Sequence, residues 1–231
     1  MICDRKPSAR SNPRSLERFA RALSAVCIGF LAVATSTLAE AEPAASITIL
    51  VYNYAEVSPR ILTAAEREAD RILNQAGVRA VWFDCSTRQP TSDVESICKS
   101  GWGTRNIALR LLSRHVPTYF QDFRFGFAVL PGLASVYYED AALLTERDEI
   151  RSELPILLAG LMVHEVGHLL LNSSNHSADG IMQAHWERKQ IRQSLTGVML
   201  FTPQQSTLIR QEARMRMNVS VGDSNSQISS R

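Results

Sequence analysis

The sequence predicts an α+β domain: a twisted mixed β-sheet, one early helix, a buried helix and a C-terminal helix. Three observations carry this. A strand–helix–strand pattern fills about forty residues from Ser46 onward, the size of a βαβ unit. Two short β-rich runs joined by a Pro-Gly turn follow it. Then comes a stretch, 153–171, that after Glu153 is apolar on every side apart from three ionisable residues. A chain of 231 residues, 45% hydrophobic and 21% charged, suits one globular domain rather than a disordered or multi-span membrane protein.

Residues 1–21 carry Arg5, Lys6, Arg10, Arg14, Arg18 and Arg21, and residues 22–39 contain no charge. Small residues at Ala39 and Ala41 precede Pro43. A basic segment, an apolar segment and an A-x-A site are the parts of a secretory signal, so 1–41 is expected to be a cleaved export signal and the remainder exported to periplasm or medium. An uncleaved signal anchor is the rival. Cys27 lacks a lipoprotein-type box, so no lipid anchor is expected, nor membrane association after cleavage. Removing 1–41 takes six of 25 Lys/Arg and three of 23 Asp/Glu, leaving 19 basic against 20 acidic residues. That balance gives no support to a nucleic-acid partner. It also leaves Cys85 and Cys98 as the only cysteines, a reasonable disulfide in an oxidising compartment.

SITILVYNY (46–54) is rich in β-branched residues and tyrosine and reads as a strand. Ser58 and Pro59 supply a cap and a first-turn proline for a helix that Gly77 ends. Ile61, Leu62, Ala65, Ala69, Ile72, Leu73 and Ala76 share its apolar face. VRAVWFD (78–84) is the second strand, and the Cys85–Cys98 segment reads as a polar loop. A third strand lies near Ile107–Leu112. RFGFAV (124–129) and ASVYY (134–138) flank the Pro131-Gly132 turn. The helix over 153–171 starts near Ser152 and should be buried. A last amphipathic helix spans 203–217, with Leu208, Ile209, Ala213 and Met217 on one face, and 218–231 is expected to be a disordered polar tail. The expected domain is therefore 42–217.

The chemistry concentrates in one stretch. His164-Glu165-Val166-Gly167-His168 is H-E-x-x-H, and residues four apart on a helix stack on one face, so both imidazoles can grip one metal ion. Ionisable groups in an oily helix are costly unless something pairs with them, and Zn²⁺ would. Glu165 is the expected catalytic carboxylate. A catalytic zinc keeps three protein ligands. His176, beyond a loop in which Asn172 tolerates the left-handed turn that ends a helix, is the leading third ligand. Glu187, Asp179 and His185 are the alternatives. Four of the five histidines fall between 164 and 185.

The run HEVGHLLLNSSNHSADGIM resembles the metzincin clan of zinc metalloproteases, whose pattern is H-E-x-x-H-x-x-G-x-x-H followed by a Met-containing turn. The resemblance implies a zincin-like catalytic domain, His176-Ser177 as third ligand and neighbour, and Met182 in Gly180-Ile181-Met182 as the floor beneath the metal. In the motif, Gly167 leaves space beside the metal. Leu171 stands where the clan has Gly, and the third His comes two residues late. The resemblance also implies that 124–129 is an antiparallel edge strand above the cleft, where Phe125, Phe127 and Val129 alternate with Gly126 and Ala128 beside an extended peptide. His185, Tyr137 and Tyr138 are candidate oxyanion donors. The expected activity is zinc-dependent endopeptidase action on a peptide or protein. A gluzincin-like peptidase using Glu187, and a non-catalytic exported zinc-binding or adhesive domain, are the rivals. Nothing in the sequence fixes the oligomeric state.

Overall fold

The structure is a computed structural model that describes residues 44–87, 90–114, 125–147, 150–186 and 188–228. The expected export signal lies outside them. Strand β1 (Ala45–Asn53) leads into helix α1 (Pro59–Gln75) and strand β2 (Val78–Asp84), the βαβ opening. Helix α2 (Ser92–Lys99), strands β3 (Asn106–Leu112), β4 (Gly126–Val129) and β5 (Leu133–Tyr137), and helix α3 (Tyr138–Arg147) follow. After a 3₁₀ turn at Arg151–Glu153 come helices α4 (Leu154–Leu170), α5 (Arg188–Leu195) and α6 (Pro203–Ile228).

The sheet is mixed, in the order β2-β1-β3-β5-β4. β1 pairs in parallel with β2 and β3, and β3 in parallel with β5, whereas β4 runs antiparallel to β5 and forms an edge. Alternation sorts the two faces. Ile47, Ile49 and Val51 of β1, Ile107, Leu109 and Leu111 of β3, and Ala134 and Val136 of β5 join the core shared with α1 and α4. The opposite face carries Thr48, Tyr52, Arg110, Ser135 and Phe127. There Arg110 donates to Ser135 Oγ at 2.9–3.0 Å and lies over the Phe127 ring.

α1 buries Leu62, Ala65, Ala69, Ile72 and Leu73, as its spacing predicted, and Gly77 (φ +81°) turns the chain into β2. Ser58 occupies the cap position, but its hydroxyl makes no capping hydrogen bond. In α4, fifteen of 17 residues are buried, so a helix apolar enough to cross a membrane serves as the central core helix. It begins at Leu154 rather than near Ser152, because Arg151–Glu153 form the tighter 3₁₀ turn.

Several elements depart from expectation. The Cys85–Cys98 segment is no simple polar loop. It contains α2, supported by Asp93 and Glu95 in the first turn, Lys99 in the last and a Glu95–Lys99 ion pair at 2.6 Å. The two cysteines are bonded, with Cα atoms 5.7 Å apart. α3 and α5 were not expected either. α6 buries Ile209 and Ala213 as expected and half-buries Met217 against β1, whereas Leu208 is exposed and Arg216 is buried on that side. Its helical backbone also continues into the stretch expected to be tail. Arg216 is 4% exposed; it pairs with Glu212 at 2.9 Å and donates to the Gly103, Pro131 and Leu169 carbonyls. It thereby ties the end of α4 to the two loops beside β4.

Candidate metal centre

The end of α4 builds the site. Asn172 adopts φ +47°, the left-handed conformation its side chain tolerates. Asn172 N donates to Leu169 O at 3.3 Å and Ser173 N to His168 O at 3.1 Å, the paired bonds of a Schellman turn. This turn brings Ser173 O back over the helix, where it accepts from His168 Nδ1 at 2.8 Å. A second loop supplies the partner of His164. Gly180 (φ +76°) sits so close to Leu200 O that a Cβ would collide with it, and Ile181 N donates to Leu200 O at 2.9 Å. Ile181 O accepts from His164 Nδ1 at 2.7 Å.

A carbonyl can only accept, so both imidazoles carry the proton on Nδ1 and leave the Nε2 lone pair available. His176 completes the group: its ring centroid is 5.3 Å from that of His164 and 4.8 Å from that of His168. One ligand atom from each of the three lies within 4.8 Å of the others. Burial pulls the His164 imidazole down to about 4, outweighing the Ile181 carbonyl, and burial likewise lowers His168 and His176. All three are therefore neutral at neutral pH, the form that ligates a metal. Three neutral imidazoles, two of them held by carbonyls, fit a zinc ion.

Glu165, 7% exposed, points to the edge strand. A Cβ on Gly126 would lie 2.7 Å from Glu165 Oε1, so only glycine leaves that carboxylate its place. Burial raises the Glu165 carboxyl to about 8, and an adjacent cation would favour its ionised form. Met182 is fully buried beneath the helix, where a Cβ on Gly167 would meet its Sδ at 2.6 Å and Phe201 Cε1 at 2.9 Å. The space that Gly167 leaves is thus filled by the floor of the site rather than kept open beside the metal.

The histidines and Glu165 open into a cavity of about 500 Å³ whose far walls include Phe125, Phe127, Leu130, Leu161 and Trp186. Val129 does not line it and is 46% exposed, although strand alternation puts it on the same face as Phe127. Of the three oxyanion candidates His185 lines the cavity, while Tyr137 lies tilted against Phe127 and Tyr138 packs on the core. Asp179 is exposed and outside the histidine group, and Glu187 lies outside the described residues. Leu161 and Trp186 were missed, as was the part Gly126 plays in leaving room for Glu165. Trp186 stands edge-on to His164 at 6.0 Å and packs against Gly160, but only its place two residues past Ala184 in the His-rich stretch hinted at it.

The backbone of β4 completes the cleft. Tyr137 N donates to Phe125 O at 2.8 Å, which makes 125–137 a hydrogen-bonded pair of the antiparallel ladder. Such pairs alternate, so Phe127 and Val129 also bond inward, and the N–H and C=O groups of Gly126 and Ala128 point away from β5 towards the cleft.

No protein-family model matches the chain, and no curated protein matches it. Among solved structures it is similar to an archaemetzincin from Methanopyrus kandleri at 16% sequence identity, with a TM-score of 0.47, covering 74% of this chain and 97% of that one.

Proposed function

We propose that the protein is a zinc-dependent endopeptidase. The observation that carries this reading is the convergence of three neutral imidazoles with a buried carboxylate at an open sheet edge. His164, His168 and His176 would hold the ion. When bound, zinc supplies Lewis-acid chemistry, polarising the scissile carbonyl and acidifying water towards a pKa of about 7.

The chain's own groups do the rest. Ser173 O and Ile181 O fix the ring orientation of His168 and His164, so the ligands are set before metal arrives. Gly126 and Ala128 offer main-chain groups on which an extended peptide adds as another strand. Glu165 then takes the proton of the attacking water at its carboxylate and delivers it to the departing amine. Burial of Glu165 keeps competing solvent from that carboxylate. His185, on the cavity wall, would be the donor to the oxyanion. We place the enzyme outside the cytoplasm, a reading supported by the leader pattern and by the Cys85–Cys98 disulfide.

Metal removal tests the proposal. Zinc-loaded protein should cleave internal bonds in a broad peptide library, lose this with a chelator and regain it with zinc. A loaded protein that cleaves nothing would favour a zinc-binding module.

A further inference from the structure

Three large apolar side chains remain exposed where β4 ends: Trp102 at 47%, Val129 at 46% and Leu130 at 44%. Val129 ends β4, Leu130 opens the turn after it, and Trp102 precedes β3 in a loop whose backbone touches that turn. A Cβ on Gly132 would lie 2.8 Å from Gly103 N and 2.9 Å from Gly103 Cα. Arg216 fastens both loops, donating to Gly103 O at 3.0 Å and to Pro131 O at 2.8 Å. Exposed apolar side chains on two adjoining segments whose backbones a buried cation fastens mark a binding surface more readily than chance exposure does.

The occupant follows from continuity with the cleft. Leu130 also lines the cavity that holds Glu165, and the outward main-chain groups of Gly126 and Ala128 lead from that carboxylate towards the patch. Antiparallel pairing is the more stable way to extend an edge. A peptide so paired has its scissile bond beside Gly126 and its upstream residues towards Leu130. At about 3.4 Å per residue, Val129 and Leu130 lie roughly 10–14 Å from Gly126, the span of three to four substrate residues.

We propose that Trp102, Val129 and Leu130 form an apolar subsite for the third and fourth residues before the scissile bond. This rests on the endopeptidase reading. The enzyme would select substrates that carry Leu, Ile or Phe at those positions, well away from the metal.

The test uses peptide pairs identical apart from Leu or Ser at these two positions, built around a bond that the wild type cleaves in the library. The wild type should prefer the Leu peptide about tenfold in kcat/KM, as burial of two apolar side chains allows, and Trp102→Ser or Leu130→Ser should bring the ratio close to one. Glu165→Ala protein should show the same ratio in peptide affinity by fluorescence anisotropy, without turnover. Thermal unfolding checks that each variant folds, and two separate variants guard against loss of one. Equal cleavage of the pair by the wild type, or a preference that survives both substitutions, overturns the subsite while the peptidase reading stands. A wild-type dimer in sedimentation that Trp102→Ser abolishes assigns the patch to a second copy and also overturns it. No cleavage of any library member by zinc-loaded wild type overturns the peptidase reading, and the subsite with it.

Discussion

Gly167→Ala probes the floor of the site. Within a helix this substitution alone would stabilise by about 1 kcal/mol, since glycine is the poorer helix former. Here the new Cβ meets Met182 Sδ at 2.6 Å and Phe201 Cε1 and Cζ at 2.9 and 3.2 Å. Comfortable contacts need about 3.5–4.0 Å, so the sulfur must retreat by roughly an ångström or more and the ring by about half to one ångström. Both lie in the core, Met182 at 0% and Phe201 at 7% exposure, and overpacking such sites costs about 1–3 kcal/mol. The net expectation is a loss of about 1 kcal/mol, measured by urea unfolding of the metal-free protein. Adding Met182→Ala removes the nearest obstacle, so the two substitutions should be coupled, with the double variant more stable than additivity predicts by about 1 kcal/mol. Zinc affinity should fall too, because a displaced Met182 pulls on Ile181 O, the partner of His164 Nδ1. A Gly167→Ala protein more stable than wild type by the helix-propensity increment would refute the packing of Met182 against α4.

Other outcomes follow from the same geometry. Arg216→Met should cost about 3 kcal/mol, because three loop and helix carbonyls lose their donor and Glu212 its partner; an unchanged Tm would contradict it. Ala128→Pro removes an N–H that points to the cleft and should raise KM about tenfold with the fold intact; unchanged kinetics would exclude strand addition at that residue. Glu66 gives a pH signature. Burial, then the charges of Asp84 and Asp70, raise its carboxyl from 4.5 to about 7. The folded state therefore holds this proton more tightly than the unfolded chain, and the stabilisation is complete below 4.5 and lost as pH rises through about 7. Glu66→Gln lacks that loss, so its Tm relative to wild type should be higher at about pH 8 than at about pH 5; an equal difference at both would contradict the assignment.

The parts legible in the sequence were those written by strong local patterns. Runs rich in β-branched and aromatic residues marked β1 and β2, an apolar run marked β3, the 3.6-residue spacing marked α1, and the H-E-x-x-H spacing put His164, Glu165 and His168 on one helical face. Asn172 carried its own signal, since few residues tolerate φ near +47°. α3 and α5 escaped for different reasons. α3 follows β5 with no intervening turn signal, so Tyr138 reads equally well as strand. α5 is polar, and its few apolar residues give no stripe to read. The roles of Gly126, Gly167 and Trp186 could not be read either, because each is defined by contact with a distant element: Glu165, Met182 and Gly160 respectively. Leu208 was misplaced because Arg216, a charged residue, occupies the buried stripe of α6. Its guanidinium is held there by Glu212 and by carbonyls that sequence spacing does not reveal.

If Glu165 moves the proton while the histidines hold the ion, metal content and peptide cleavage measured on one preparation of Glu165→Ala must part company. One equivalent of zinc should be retained, since Glu165 is no ligand, and cleavage should fall by at least about a hundredfold, the usual contribution of general acid–base catalysis. A Glu165→Ala protein that binds zinc and cleaves like wild type would contradict that division of roles.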